Sequence, residues 1–151
     1  MASESGTTPM NSSSSSLRLA RTFLRSFSRI KSRRPTTAAS RSAFELRRRS
    51  RRIKIAAYSS MARVAGPQRA WARALLFKLN TRARHGTLMR RRRSTMPSAY
   101  PDDHVGKLRR LLPGGDGMDV CTLLEETADY IHCLSAQVKV MNAIAHHLST
   151  N

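Results

Sequence analysis

The apolar residues of this chain recur at helical spacings, most regularly near its C-terminal end. Val120, Leu124, Thr127, Ile131, Leu134, Val138, Met141, Ala145 and Leu148 follow one another at intervals of 4, 3, 4, 3, 4, 3, 4 and 3. That 3.5-residue repeat is the seam of a coiled coil or a helical bundle. No Gly or Pro interrupts residues 118–151, so one helix of about 30 residues, about 45 Å long, is predicted there. Just ahead of it, Val105, Leu108, Leu111 and Leu112 make a shorter stripe, which Asp102 or Asp103 can cap. The run Pro113-Gly114-Gly115-Asp116-Gly117 stops that first helix, and Asp119 caps the second, with Glu125 and Glu126 in its early turns. The short helix can cover only part of the long stripe. The remainder demands a partner.

The N-terminal two thirds carry weaker patterns. Residues 1–16 are mostly Ser, Thr, Gly and Pro with almost nothing to bury, and are expected to be disordered. On a helical wheel Leu17, Leu19, Ala20, Phe23, Leu24, Phe27 and Ile30 share one side, while Arg18, Arg21, Arg25 and Arg29 share the other. A cationic amphipathic helix near 17–31 follows. It reads either as an organelle transit peptide or membrane-surface helix, or as a segment that docks on a partner. Trp71, Leu75 and Leu79, with Ala74 and Phe77 nearby, predict a second helix over 67–84, opened by Pro67 and stopped by Gly86. Trp71 is read as a packing residue. The organisation predicted is a tail over 1–16, a basic region over 17–100 that is largely disordered apart from one or two short helices, and a helical domain over 101–151.

Charge sharpens this division. Lys and Arg number 28 against 9 Asp and Glu, a net of +19, and residues 102–151 hold only 4 of the bases but 7 of the acids. So strong an imbalance points to an anionic partner or to an import system that selects cations. Arg47, Arg48, Arg49, Arg51, Arg52 and Lys54 form one compact cluster, and Arg90, Arg91, Arg92 and Arg93 another. Such clusters are candidates for nuclear localisation or nucleic-acid contact, with a solvated linker as the plainer alternative. No run of 18 apolar residues is present, which leaves no membrane span. Cys121 and Cys133 lie twelve residues apart in one helix, roughly 18 Å, too far to bridge.

No catalytic chemistry emerges. Gly114, Gly115 and Gly117 follow a helix and not a strand, so they form a turn and not a phosphate cradle. His104, His132, His146 and His147 lack the paired spacing of a metal site. No nucleophile motif stands in a fold that would enclose it. Neither an enzyme, a metal nor a cofactor is expected.

A short helix, a Pro-Gly loop and a long heptad helix make an all-α helix-loop-helix dimerisation domain, a four-helix bundle in the dimer. The residues expected at its interface are Val105, Leu108, Leu111, Leu112, Val120, Leu124, Thr127, Ile131, Leu134, Val138 and Met141. The stretch Leu108-Arg-Arg-Leu-Leu-Pro-Gly-Gly-Asp-Gly-Met-Asp-Val-Cys-Thr-Leu-Leu-Glu-Glu-Thr-Ala-Asp-Tyr-Ile-His-Cys-Leu-Ser-Ala-Gln-Val-Lys-Val-Met141 closely resembles plant basic helix-loop-helix proteins. Arg-Arg-Ile-Lys-Ile-Ala-Ala-Tyr at 51–58 and Arg-Ala-Trp-Ala-Arg-Ala-Leu-Leu at 69–76 resemble the plant atypical branch, which contains growth repressors of brassinosteroid-controlled cell elongation. Typical family members read DNA with a basic helix carrying a recognition Glu and two Arg residues. Counting back from Pro113, those positions hold Ser94, Pro97 and Ser98. Serine cannot supply the carboxylate acceptors, and a proline inside a helix costs ~3 kcal/mol.

The resemblance therefore implies a nuclear repressor that pairs with DNA-binding helix-loop-helix activators, or with a second copy of itself, and keeps activators from E-box DNA. Weak, non-specific nucleic-acid contact is the most that its basic clusters would add. A reading of a different class is an organelle-imported protein of the mitochondrion or plastid that binds RNA or a membrane through the same clusters.

Overall fold

The computed structural model describes residues 12–32, 42–84 and 104–150, and the described residues form five α-helices and no strand. They are α1 (Ser12–Ser32), α2 (Ala43–Ala65), α3 (Ala70–Arg84), α4 (His104–Leu111) and α5 (Val120–Ser149). The all-α class and the helix-loop-helix at the C-terminal end match the expectation. Ser94, Pro97, Ser98 and the arginines at 90–93 lie outside the described residues, as do Gly86, Asp102, Asp103 and most of the expected tail.

The basic region is more ordered than its composition suggests. Residues 43–65, for which the sequence predicts no helix, form the 23-residue helix α2. Its buried positions are Ala56, Ala57, Ser60, Met61 and Ala62. Small side chains of this kind make a weak hydrophobic pattern, yet they let neighbouring helices approach closely. Ser42 caps the start of α2, its hydroxyl accepting from the Phe44 N–H at 3.3 Å. Gly66 ends the helix at φ 87°, its N–H donating to the Ala62 carbonyl, a backbone conformation that L side chains rarely adopt. α1 also begins earlier than expected, inside the serine run at Ser12.

The core has two adjoining parts. Leu19 of α1, Met61 and Ala62 of α2, Trp71, Ala72 and Leu75 of α3, Leu112 after α4, and Leu123 of α5 form the first. Phe23 with Ala56 and Ala57 forms the second, and Phe27, Ile30, Ile53, Val140, Met141 and Ile144 pack against it. Most of the apolar side of α1 is thus spent inside the fold, on α2 and α5, with Leu17 and Leu24 left exposed.

Polar and ring contacts gathered at Trp71 join the start of α3 to α5. Trp71, fully buried in the second position of α3, donates its backbone N–H to Glu126 Oε2 at 2.9 Å. The first turn of a helix has N–H groups without partners inside the helix, and a carboxylate there also complements the helix dipole. The indole Nε1–H donates to Asp129 Oδ2 at 2.9 Å, and the ring tilts against Tyr130 with centroids 5.0 Å apart. Arg69 reaches the same Asp129 oxygen at 3.4 Å. Glu126, Asp129 and Tyr130 lie at helical spacing on one face of α5, so a single face anchors Trp71 at the start of α3.

Removing the Glu126 carboxylate leaves a buried donor unsatisfied. Glu126→Ala is expected to lower stability by about 1–3 kcal/mol, and Glu126→Gln, which keeps an acceptor, by less. Thermal unfolding followed by circular dichroism measures both. An alanine variant melting with the wild type would contradict this role.

Candidate partner-binding surface

The connection between α4 and α5 is built to hold a fixed turn. Gly114 has φ 79°, and a Cβ there would come within 2.7 Å of the Ala74 Cβ on α3. Only glycine fits such a close approach at positive φ. A Cβ on Gly115 would stand 2.6 Å from the Arg109 carbonyl. The Arg109 guanidinium donates to the Gly115 carbonyl at 3.3 Å and to the Met118 carbonyl as well, closing the loop from the α4 side. Asp119 then caps α5, accepting from the Thr122 N–H at 3.0 Å. Its hydrogen bonds to Thr122 hold the carboxyl below its ordinary value of 3.8. A depressed carboxylate stabilises above its unfolded value, so this contribution is lost as pH falls below about 4.

α5 carries two seams, one residue out of step. Leu123, Glu126, Tyr130, Cys133, Gln137, Val140 and Ile144 recur at intervals of 3, 4, 3, 4, 3 and 4, and this inner seam faces the chain's own helices. It includes polar members. Both side-chain atoms of the buried Gln137 amide have no hydrogen-bond partner, nor has the Thr127 hydroxyl. Burial raises the Cys133 thiol to about 11, with a further push from the Asp129 carboxylate and a smaller opposing pull from Arg69.

The outer seam is the one the heptad pattern marks. Leu124, Ile131 and Val138 are 55%, 57% and 54% exposed, and Val120 and Leu148 are exposed beside them. Leu111 of α4 is 76% exposed, and Val105 is open too. This row of large aliphatic side chains exposed along α5 is the candidate docking face. The structure divides the expected interface residues. Val105, Leu111, Val120, Leu124, Ile131 and Val138 stand outward, Leu112 is buried in the core, and Leu108, Leu134 and Met141 are half-buried against it. Thr127 sits half-buried between the two seams.

Sequence reasoning missed the inner seam because its best-packed members include a glutamate and a glutamine. The tryptophan it named as a packing residue is also the hydrogen-bonding anchor of α3. Of the basic clusters, Arg47, Arg48, Arg49, Arg51 and Lys54 are exposed on α2 and Arg52 is partly covered. Among the described residues, no three His, Cys, Asp or Glu side chains gather in a way that could hold a metal ion, and no helix is long and apolar enough to cross a membrane.

The two cysteines report the burial directly. Cys121 is exposed and Cys133 half-buried. A disulfide reagent at pH 8 is expected to modify Cys121 first and Cys133 only slowly, because the thiolate is the reacting species. Equal rates would contradict the packing of the inner seam.

No family model matches the chain, and no solved structure matches it significantly. It is 38% identical over 158 residues to Transcription factor IBH1 of Oryza sativa subsp. japonica, an alignment covering 81% of this chain and 73% of that protein. The same identity and coverage hold for Transcription factor IBH1 of Oryza sativa subsp. indica. Transcription factor bHLH150 of Arabidopsis thaliana is 32% identical over 120 residues, covering 67% of this chain and 54% of that protein. With similarity that runs far beyond the helix-loop-helix segment, the chain belongs to the atypical plant basic helix-loop-helix family.

Proposed function

We propose that this protein is a transcription regulator that acts as a repressor. It pairs through the outer seam of α5 with DNA-binding helix-loop-helix activators and removes them from E-box DNA. The observation that carries this reading is the exposed row Val120, Leu124, Ile131 and Val138 on a helix whose neighbouring seam is already covered. Each large aliphatic side chain buried on pairing is worth ~1.5–3 kcal/mol, enough in sum to drive association.

The partner would supply a DNA-reading helix, and this chain, with Ser94, Pro97 and Ser98 at the corresponding positions, would not. Each lost base-pair recognition costs ~1–3 kcal/mol. Losing two or three weakens specific binding about 100-fold or more. The relatives' family supports a nuclear site of action, and the resemblance to its growth-repressor branch supports cell elongation under brassinosteroid control as the restrained output. The organellar reading rests on the amphipathic pattern of α1. That pattern has a use inside the fold, where Leu19, Phe23, Phe27 and Ile30 pack on α2 and α5.

Two experiments test the proposal. In a gel-shift titration at physiological salt, added protein is expected to remove an activator's E-box band without producing a new one. Leu124→Glu with Ile131→Glu is expected to abolish that effect while leaving the fold intact, since both side chains are already in water. A stable, sequence-specific supershifted band, or a double variant that still removes the activator, would contradict it. A C-terminal fluorescent fusion is expected to accumulate in the nucleus, and less so when the clusters at 47–54 and 90–93 are both neutralised. Fluorescence in mitochondria or plastids would instead establish the organellar reading.

A further inference from the structure

The outward faces of α1 and α2 are the most strongly charged surface among the described residues. On α1, Arg18, Arg21, Arg25, Arg29 and Lys31 are all exposed. The four arginines follow one another at intervals of 3, 4 and 4, so they form one row about 17 Å long at 1.5 Å per residue. On α2, Arg47, Arg51 and Lys54 form a second row, with Arg48 and Arg52 beside it and Arg49 at the same end. α1 and α2 pack against each other through Phe23, Ala56 and Ala57 with Phe27, Ile30 and Ile53 around them. Their basic rows lie on the outward sides of two helices that pack together. The only carboxylate on the two helices is Glu45, which pairs with Arg48 at 3.5 Å and offsets a single charge.

We infer that this α1–α2 surface binds the phosphate backbone of duplex DNA without reading its sequence. The α1 row is about 17 Å long and the α2 cluster over 47–54 about 10 Å, so each spans roughly three to five phosphates at 3.4 Å per phosphate on each strand. Nine of the eleven cations named above are arginines, whose planar forks match phosphate oxygens in pairs. A membrane surface fits less well. Helices that lie on bilayers bury an apolar face in the lipid, and here Leu19, Phe23, Phe27 and Ile30 are turned into the protein. The apolar side chains left exposed on these helices, Leu17, Leu24, Phe44, Leu46, Ile55 and Tyr58, are fewer than the exposed cations. The binding is independent of the partner-binding seam on α5 and does not rest on the repressor reading. It also agrees with that reading energetically. Non-specific affinities at physiological salt lie near 10⁻⁴–10⁻⁶ M, far weaker than the 10⁻⁸–10⁻¹¹ M of specific sites. Such contact would hold the chain near DNA without restoring E-box recognition.

The test uses the full chain without a partner and a short duplex of scrambled sequence. Binding is expected at low salt, falling by on the order of a thousandfold between 50 and 200 mM salt. Replacing Arg21, Arg25, Arg48 and Arg51 together by Gln is expected to weaken binding by about tenfold or more. Neutralising Arg90, Arg91, Arg92 and Arg93 instead should cost less. Circular dichroism checks that the variant is folded. Footprinting of the wild-type arginines with phenylglyoxal needs no variant at all: the duplex is expected to protect Arg21, Arg25, Arg48 and Arg51. Wild-type affinity in the α1–α2 variant, or no protection of those four arginines, would overturn the inference. So would displacement of the duplex by polyglutamate of equal charge, or preferential binding to phosphatidylserine-containing vesicles.

Discussion

The Glu126 carboxylate at the start of α3 is the contact on which the arrangement depends. It accepts the Trp71 backbone N–H, while Asp129 takes the indole N–H and Tyr130 meets the ring. Those three residues come from one face of α5, and their target is the only tryptophan of the chain. With α3 fixed, Ala74 stands against Gly114 and the loop between α4 and α5 has one way to turn. Leu75 and Ala72 then complete the core with Leu112 and Leu123. The basic N-terminal helices and the helix-loop-helix are in this way one folded unit and not a domain with a tail.

That unit explains how a helix with apolar residues on two adjacent seams can be used twice. The inner seam of α5 accommodates Glu126 because it meets the start of α3, where the carboxylate accepts the Trp71 N–H. The Gln137 amide is buried there without a hydrogen-bond partner. The outer seam is purely aliphatic at Val120, Leu124, Ile131 and Val138, and these side chains stay exposed among the described residues. α4 has only 8 residues and cannot reach along a 30-residue α5. Along the outer seam, Leu124, Ile131 and Val138 stay more than half exposed.

Much of this was legible in the residues. The heptad repeat, the Pro-Gly loop, the Asp119 cap and the apolar side of α1 all rest on large side chains or on residues with strong backbone preferences. α2 was not legible, because its contacts use Ala56, Ala57, Ser60 and Ala62, and alanine or serine beside seven arginines and lysines reads as a linker. Nor was the use of Glu126. In sequence it is an acid near a helix start, suited to its own helix dipole, whereas in space it serves the dipole of α3. The split of the expected interface residues between core and solvent has the same origin. Leu112 lies on the short stripe of α4 and Leu134 on the heptad pattern, but both pack with α3 in the core, and no pattern within 101–151 could announce a helix from outside it.

The division of α5 into an inner seam kept for its own chain and an outer seam offered to a partner can be measured in the complex. Methyl-labelled protein, bound to an unlabelled helix-loop-helix activator, reports it through nuclear Overhauser effects. Intermolecular effects are expected at Leu124, Ile131 and Val138, with Leu123, Val140 and Ile144 still touching their own N-terminal helices. Intermolecular effects at Leu123 and Ile144, with Trp71 released into solvent, would mean that a partner displaces α1, α2 and α3. That outcome would contradict the division.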